Sequence, residues 1–101
     1  MADLPIACTL SLDALETRRR GLLSELLQLA QSHEFTADGL RVVFAANGET
    51  LAQIAQVVNA ERLCCRFLRF AVTVEPDGGP LSLELSGPAG SREFIAALID
   101  L

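Results

Sequence analysis

Two alternating runs face each other across a turn. Phe70, Val72 and Val74 alternate with Ala71, Thr73 and Glu75, Leu81, Leu83 and Leu85 alternate with Ser82, Glu84 and Ser86, and Pro76-Asp77-Gly78-Gly79-Pro80 lies between them. A period of two places each apolar set on one face of a strand. The Pro/Asp/Gly run supplies the backbone conformations of a tight reversal. The segment therefore predicts an antiparallel hairpin with one face to bury, and whatever covers that face limits the rest of the fold.

The remaining elements follow from the same periodicities. Ile6, Cys8 and Leu10 alternate with Ala7 and Thr9, which predicts a short strand with Cys8 on its apolar face. Ser11 is a candidate helix cap with Asp13 in the first turn, and Leu12, Leu15, Leu22, Leu26 and Leu29 recur at helical spacing, predicting a helix to about Gln31. Arg18, Arg19 and Arg20 project about 100° apart on that helix and read as a solvated face. Asp38-Gly39 marks a turn, and Leu40, Val42 and Phe44 form a second strand. Asn47 caps the next helix, whose stripe Leu51, Ile54, Val58, Cys65 and Leu68 predicts an end near Phe67. Gly87-Pro88 closes the hairpin and starts a last helix buried through Phe94, Ile95, Leu98 and Ile99.

The expected order is β-α-β-α-β-β-α. An α+β two-layer sandwich follows, with about four strands and three helices packed on one sheet face, because three amphipathic helices cannot leave a sheet bare. No linker or repeat divides residues 1–101, so a single domain is expected. A chain of 101 residues buries roughly two thirds of its unfolded surface. Its margin of stability is correspondingly modest, and a homodimer across the second sheet face is the expected assembly.

Charge narrows the partners. All eight basic residues are arginine, thirteen carboxylates outnumber them, and the net charge is -5, which gives a phosphate backbone little to bind. No nucleic-acid partner is expected. No apolar run approaches the ~20 residues of a membrane-spanning helix, so no membrane partner is expected either. An acidic residue precedes the apolar start of the chain, unlike a secretory leader, and a cytoplasmic location is the expectation. Three cysteines in such a chain argue for thiols rather than a disulfide framework.

Two of those cysteines lie in Glu61-Arg62-Leu63-Cys64-Cys65-Arg66-Phe67-Leu68-Arg69-Phe70, at the end of the second predicted helix. Glu61 falls on the apolar stripe, where a carboxylate is out of place unless it is partnered. It stands three residues before Cys64 and four before Cys65, the spacings that bring helical side chains together. Arg62, Arg66 and Arg69 flank the same turn as outer partners; their charge favours thiolates, while Glu61 and the helix C-terminus oppose them. Adjacent helical cysteines diverge by about 100°, which disfavours a disulfide between them and leaves both able to face a third group. Cys8 is the candidate for that group.

Such a set, Cys8, Cys64 and Cys65 with Glu61, suits a thiophilic metal or metalloid ion: zinc, copper(I), mercury(II) or trivalent arsenic. A tetrahedral zinc site would take its fourth ligand from Glu61, His33 or water. Two alternatives stand beside this reading. One is a thiol redox protein pairing Cys8 with Cys64 or Cys65. The other is a dimeric interaction module without catalysis, binding a protein partner, in which the cysteines only pack and Glu61 pairs with an arginine. Phosphate loops and nucleophile elbows are missing, and His33 is the sole histidine, so no catalytic residues are assigned and a non-enzyme is favoured.

The chain resembles a group of small bacterial proteins of unassigned activity that share an A-C-[ST]-L start, an E-R-x-C-C-x-F-L-x-F centre, a G-G-P hairpin and a G-P-x-G segment. Here these are Ala7-Cys8-Thr9-Leu10, Glu61 to Phe70, Gly78-Gly79-Pro80 and Gly87-Pro88-Ala89-Gly90. The resemblance implies that the three cysteines belong together, and it implies no reaction.

Overall fold

The computed structural model describes residues 22–99. The strand read at Ile6–Leu10 and the start of the first helix lie outside the described residues. Within them the elements are α1 (Leu22–Gln28), β1 (Ala30–Phe35), β2 (Gly39–Phe44), α2 (Gly48–Cys64), β3 (Arg69–Val74), β4 (Leu81–Ser86) and α3 (Ser91–Leu98). The four strands form one antiparallel sheet in the order β1-β2-β4-β3, and the protein is α+β.

The hairpin forms as its alternation dictates. Phe70 pairs with Leu85, Val72 with Leu83 and Val74 with Leu81. Asp77 (φ 56°) and Gly78 (φ 70°) are both left-handed, and the Gly79 N–H donates to the Pro76 carbonyl at 3.0 Å. Two successive positive φ values give the turn whose twist matches that of the strands it joins. Leu40, Val42 and Phe44 of β2 align with Leu85, Leu83 and Leu81 of β4, and all six are buried. They form the floor of a core that also takes Leu23 and Leu26 from α1, Ile54 and Val57 from α2, and Ile95 and Leu98 from α3. Each such side chain contributes about 1.5–3 kcal/mol when fully buried. Helix α1 lies against α2, α2 reaches β3, and α3 packs on β2.

β1 departs from the sequence expectation. Residues 30–31 were expected to end the first helix, yet the helix stops at Gln28 and Ala30–Phe35 pairs with β2, with a register shift between Ala30 and Ser32. This strand is mostly exposed and polar, so it carries no apolar alternation; pairing with β2 and the Thr36–Gly39 turn, closed by the Thr36 N–H to the Gly39 carbonyl at 2.9 Å, holds it in place. The described order is thus α-β-β-α-β-β-α. Helix α2 begins as expected, with Asn47 Oδ1 accepting from Glu49 N at 2.8 Å and Thr50 N at 3.3 Å. It ends at Cys64, three residues before the expected Phe67, because Cys65 leaves helical geometry (φ -106°, ψ 77°) and its carbonyl accepts from Leu68 N at 3.1 Å. That tight turn delivers the chain into β3.

Candidate functional site

The site grows out of the stripe on α2. Thr50, Ile54 and Val57 are buried at helical spacing, and Glu61 continues the series at 1 % exposure. The carboxylate therefore occupies an interior position, as its place on the stripe predicted. Cys65, four residues on, is fully buried, and its backbone N–H donates to the Glu61 carbonyl oxygen at 2.6 Å. Cys65 and Leu68 remain in the core although both lie beyond the helix. The turn between them takes over from the helix in keeping them there.

Phe67 anchors this turn. Its ring meets that of Phe94 of α3 edge-on, with centroids 5.0 Å apart and planes at 82°. Such pairs contribute about 0.5–1.5 kcal/mol beyond area burial. The connection from Cys65 to β3 is thereby tied to the last helix.

The flanking arginines face the other way. Arg62, Arg66 and Arg69 are all exposed, and the Arg62 Nε donates to Asn59 Oδ1 at 3.1 Å. Their side chains lie on the solvent side of the turn, where water screens their influence on a buried thiol or carboxylate. Leu63 is 60 % exposed between them.

Of the four proposed ligands, Glu61 and Cys65 are brought to the same interior turn. Cys64 closes α2 and is described in its backbone alone; Cys8 lies outside the described residues. Among the described residues no group of three or more His, Cys, Asp or Glu side chains is placed to hold a metal ion. His33 lies in exposed β1 opposite Val42, on a strand remote in sequence from the cysteine turn.

Two surface clefts lie elsewhere. One of about 420 Å³, lined by Glu25, Glu49, Ala52, Gln53 and Gln56, sits between α1 and the first half of α2. The other, about 200 Å³, is lined by Ser32, His33, Glu34, Arg41 and Val43. Glu61 and Cys65 line neither of these two clefts.

The sequence reading passed over Ser91. It follows Gly90, a left-handed residue (φ 96°) that opens α3, and its side chain is fully buried. A serine after Pro-Ala-Gly reads as a solvent-facing helix start; only the packing of α3 against the Gly87 backbone reveals that it is interior.

No described helix is long and apolar enough to cross a membrane. Comparison with protein-family models, curated proteins and solved structures gives no significant match.

Proposed function

We propose that the chain binds a thiophilic metal or metalloid ion at the end of α2, through Cys65, Cys64 and Cys8, with Glu61 as a ligand or as the acceptor that orients a thiol. The observation that carries this reading is the joint burial of Glu61 and Cys65 one turn apart. A carboxylate in the last turn of α2 and a thiol just beyond its end, both kept from water, form the beginning of a donor set, and Cys64 adds a second sulfur at the adjacent position. Thiolates select soft and borderline ions over magnesium or calcium. The resemblance to the small bacterial proteins, which groups the three cysteines, supports taking Cys8 into the same set.

Full burial of Cys65 weighs against its being the accessible, low-pKa thiol that the redox alternative needs. The expected two-layer arrangement, with all helices on one sheet face, leaves the other face for self-association. A homodimeric interaction module is favoured by one specific observation, the exposure of Leu63 beside the cysteine pair. In that reading the cysteines are packing groups.

Titration of reduced, anaerobically purified protein with zinc, copper(I), mercury(II) and arsenite tests the proposal, comparing the wild type with Cys8→Ser, Cys64→Ser and Cys65→Ser. One ion bound per chain, weakened by each change, is the expected result. An absence of stoichiometric binding in the wild type overturns it. Sedimentation of the same four proteins separates the second reading, because there the substitutions alter stability and leave self-association intact.

A further inference from the structure

The two edges of the sheet are built differently. β1 offers Gln31, Ser32, His33 and Glu34 to solvent, and its register slips between Ala30 and Ser32. Charge and irregularity of this kind keep an edge from pairing with another chain. β3, which among the described residues is outermost with β4 as its neighbour, has neither. Its register runs unbroken from Arg69 to Val74, and Phe70-Ala71-Val72-Thr73-Val74 contains no charge and no proline. Phe70, Val72 and Val74 lie opposite Leu85, Leu83 and Leu81 on the core face, yet Val72 is 42 % and Val74 58 % exposed where Leu83 and Leu81 are buried. The apolar face thus runs out to an edge of the kind that templates a further strand.

The charges that bound this segment suit a second copy of it. Arg69 opens β3 and Glu75 follows it directly, both exposed. A copy of β3 related by a two-fold axis at Val72, normal to the sheet, runs antiparallel to the first. Val72 then meets Val72 of the partner subunit, Phe70 meets the partner's Val74, Ala71 the partner's Thr73, and Arg69 the partner's Glu75. Apolar lies against apolar on one face, and opposite charges meet on the other. Any other register that keeps the two core faces together shortens the ladder and parts Arg69 from Glu75. We infer that β3 is the edge through which two copies of this chain pair, antiparallel and centred on Val72, joining two four-stranded sheets into one. The second sheet face, the expected place for a homodimer, is the poorer candidate. It carries Glu34, Arg41 and Glu84 in one cross-strand row, charges that already alternate within the chain. A single strand edge falls short of the ~800 Å² per partner of a standard interface, so the dimer is weak and concentration-dependent.

The inference goes beyond the ion-binding reading and does not rest on it. Sedimentation of the full chain tests it, over concentrations from ~10 μM to ~1 mM. Reversible dimerisation is expected, and with it protection from hydrogen exchange, rising with concentration, of the β3 amides that point away from β4. Val72→Lys, a change at an exposed site that sets two ammonium groups face to face on the axis, is expected to leave a folded monomer. Arg69→Glu and Glu75→Arg each set like charges opposite one another twice, and each is expected to weaken association about tenfold or more. Mixed in equal amounts, the two variants restore it, because every Glu then meets an Arg. General charge repulsion predicts otherwise, since at a net charge of -5 Glu75→Arg alone would strengthen association. A chain that stays monomeric throughout overturns the inference. So does a dimer that survives Val72→Lys, or a mixture of the two charge variants that associates no better than either alone. Protection of β3 that is independent of concentration also overturns it and gives the edge to another part of the same chain. Circular dichroism confirms that the variants are folded; should Val72→Lys fail to fold, the charge variants decide the matter. Soft-ion titration is a separate readout, so failure of one proposal leaves the other standing.

Discussion

Glu61 and Cys65 are joined by a backbone hydrogen bond of 2.6 Å and buried together where α2 gives way to the turn into β3. The bond fixes their relative height along the helix, and the end of the helix frees Cys65 from helical geometry. Of the two, Glu61 is held by regular structure and Cys65 by a turn.

Replacing Glu61 by Gln keeps the shape of the side chain and replaces its carboxyl group by an amide. If the proposed site binds a soft ion, its affinity is expected to fall about 10- to 100-fold, the usual effect of losing a group that orients a metal ligand. Competition titration against a chelator of known affinity measures this, with far-ultraviolet circular dichroism confirming that the variant is folded. Unchanged affinity in a folded Glu61→Gln protein would remove Glu61 from the site.

Gly39 opens β2 against β4, and a Cβ built there would overlap the Leu85 carbonyl oxygen. The colliding atom is backbone of a strand paired on both sides, so it cannot swing aside. Gly39→Ala is expected to destabilise the chain by about 2–4 kcal/mol, in the range of overpacked interior sites. Urea unfolding, read as a lower midpoint at unchanged slope, checks this. Gly48→Ala is the control, because a Cβ at Gly48 meets nothing within 4 Å.

Legibility followed burial pattern. The hairpin, β2 and the burial of α3 through Ile95 and Leu98 were readable because one face is apolar and the other polar. Glu61 was readable for the opposite reason, as the wrong residue type on an apolar stripe. β1 was not, since an exposed edge strand made of Gln31, Ser32, His33 and Glu34 is specified by its partner strand and by the Thr36–Gly39 turn rather than by its own pattern. The end of α2 was overestimated because Cys65 and Leu68 sustain the helical period from a turn that also faces the core. The solvent-facing direction of Arg62 depends on its bond to Asn59, a pairing that periodicity does not rank above one with Glu61.

Asn47 caps α2 through its side-chain oxygen, which accepts from Glu49 N and Thr50 N. Asn47→Ala leaves two donors of the first turn to water, and a loss of about 1 kcal/mol is expected, whereas Asn47→Asp retains the cap. Chemical denaturation of the two variants distinguishes them. Equal losses would show that the cap geometry adds nothing to the stability of α2.

Ser91 offers the inverse case. Its hydroxyl is buried and has no hydrogen-bond partner among the described residues, and it lies where a Cβ on Gly87 would come within 2.4 Å of its oxygen and 3.2 Å of the Phe67 carbonyl. An interior hydroxyl without a partner has lost its bonds to water and gained none in return, at a cost of about 1–3 kcal/mol. Ser91→Ala removes that group and leaves almost the same volume, so the variant is expected to be as stable as the wild type or more stable by about 1 kcal/mol. Gly87→Ala, by contrast, pushes a methyl group against the Ser91 side chain and the Phe67 backbone and is expected to destabilise. Combining the two substitutions relieves the contact with the oxygen and should recover part of the loss, a non-additivity that a double-mutant cycle measures directly. A destabilising Ser91→Ala would mean that the hydroxyl holds a bond after all, and would turn attention to the turn carrying Phe67 as its partner.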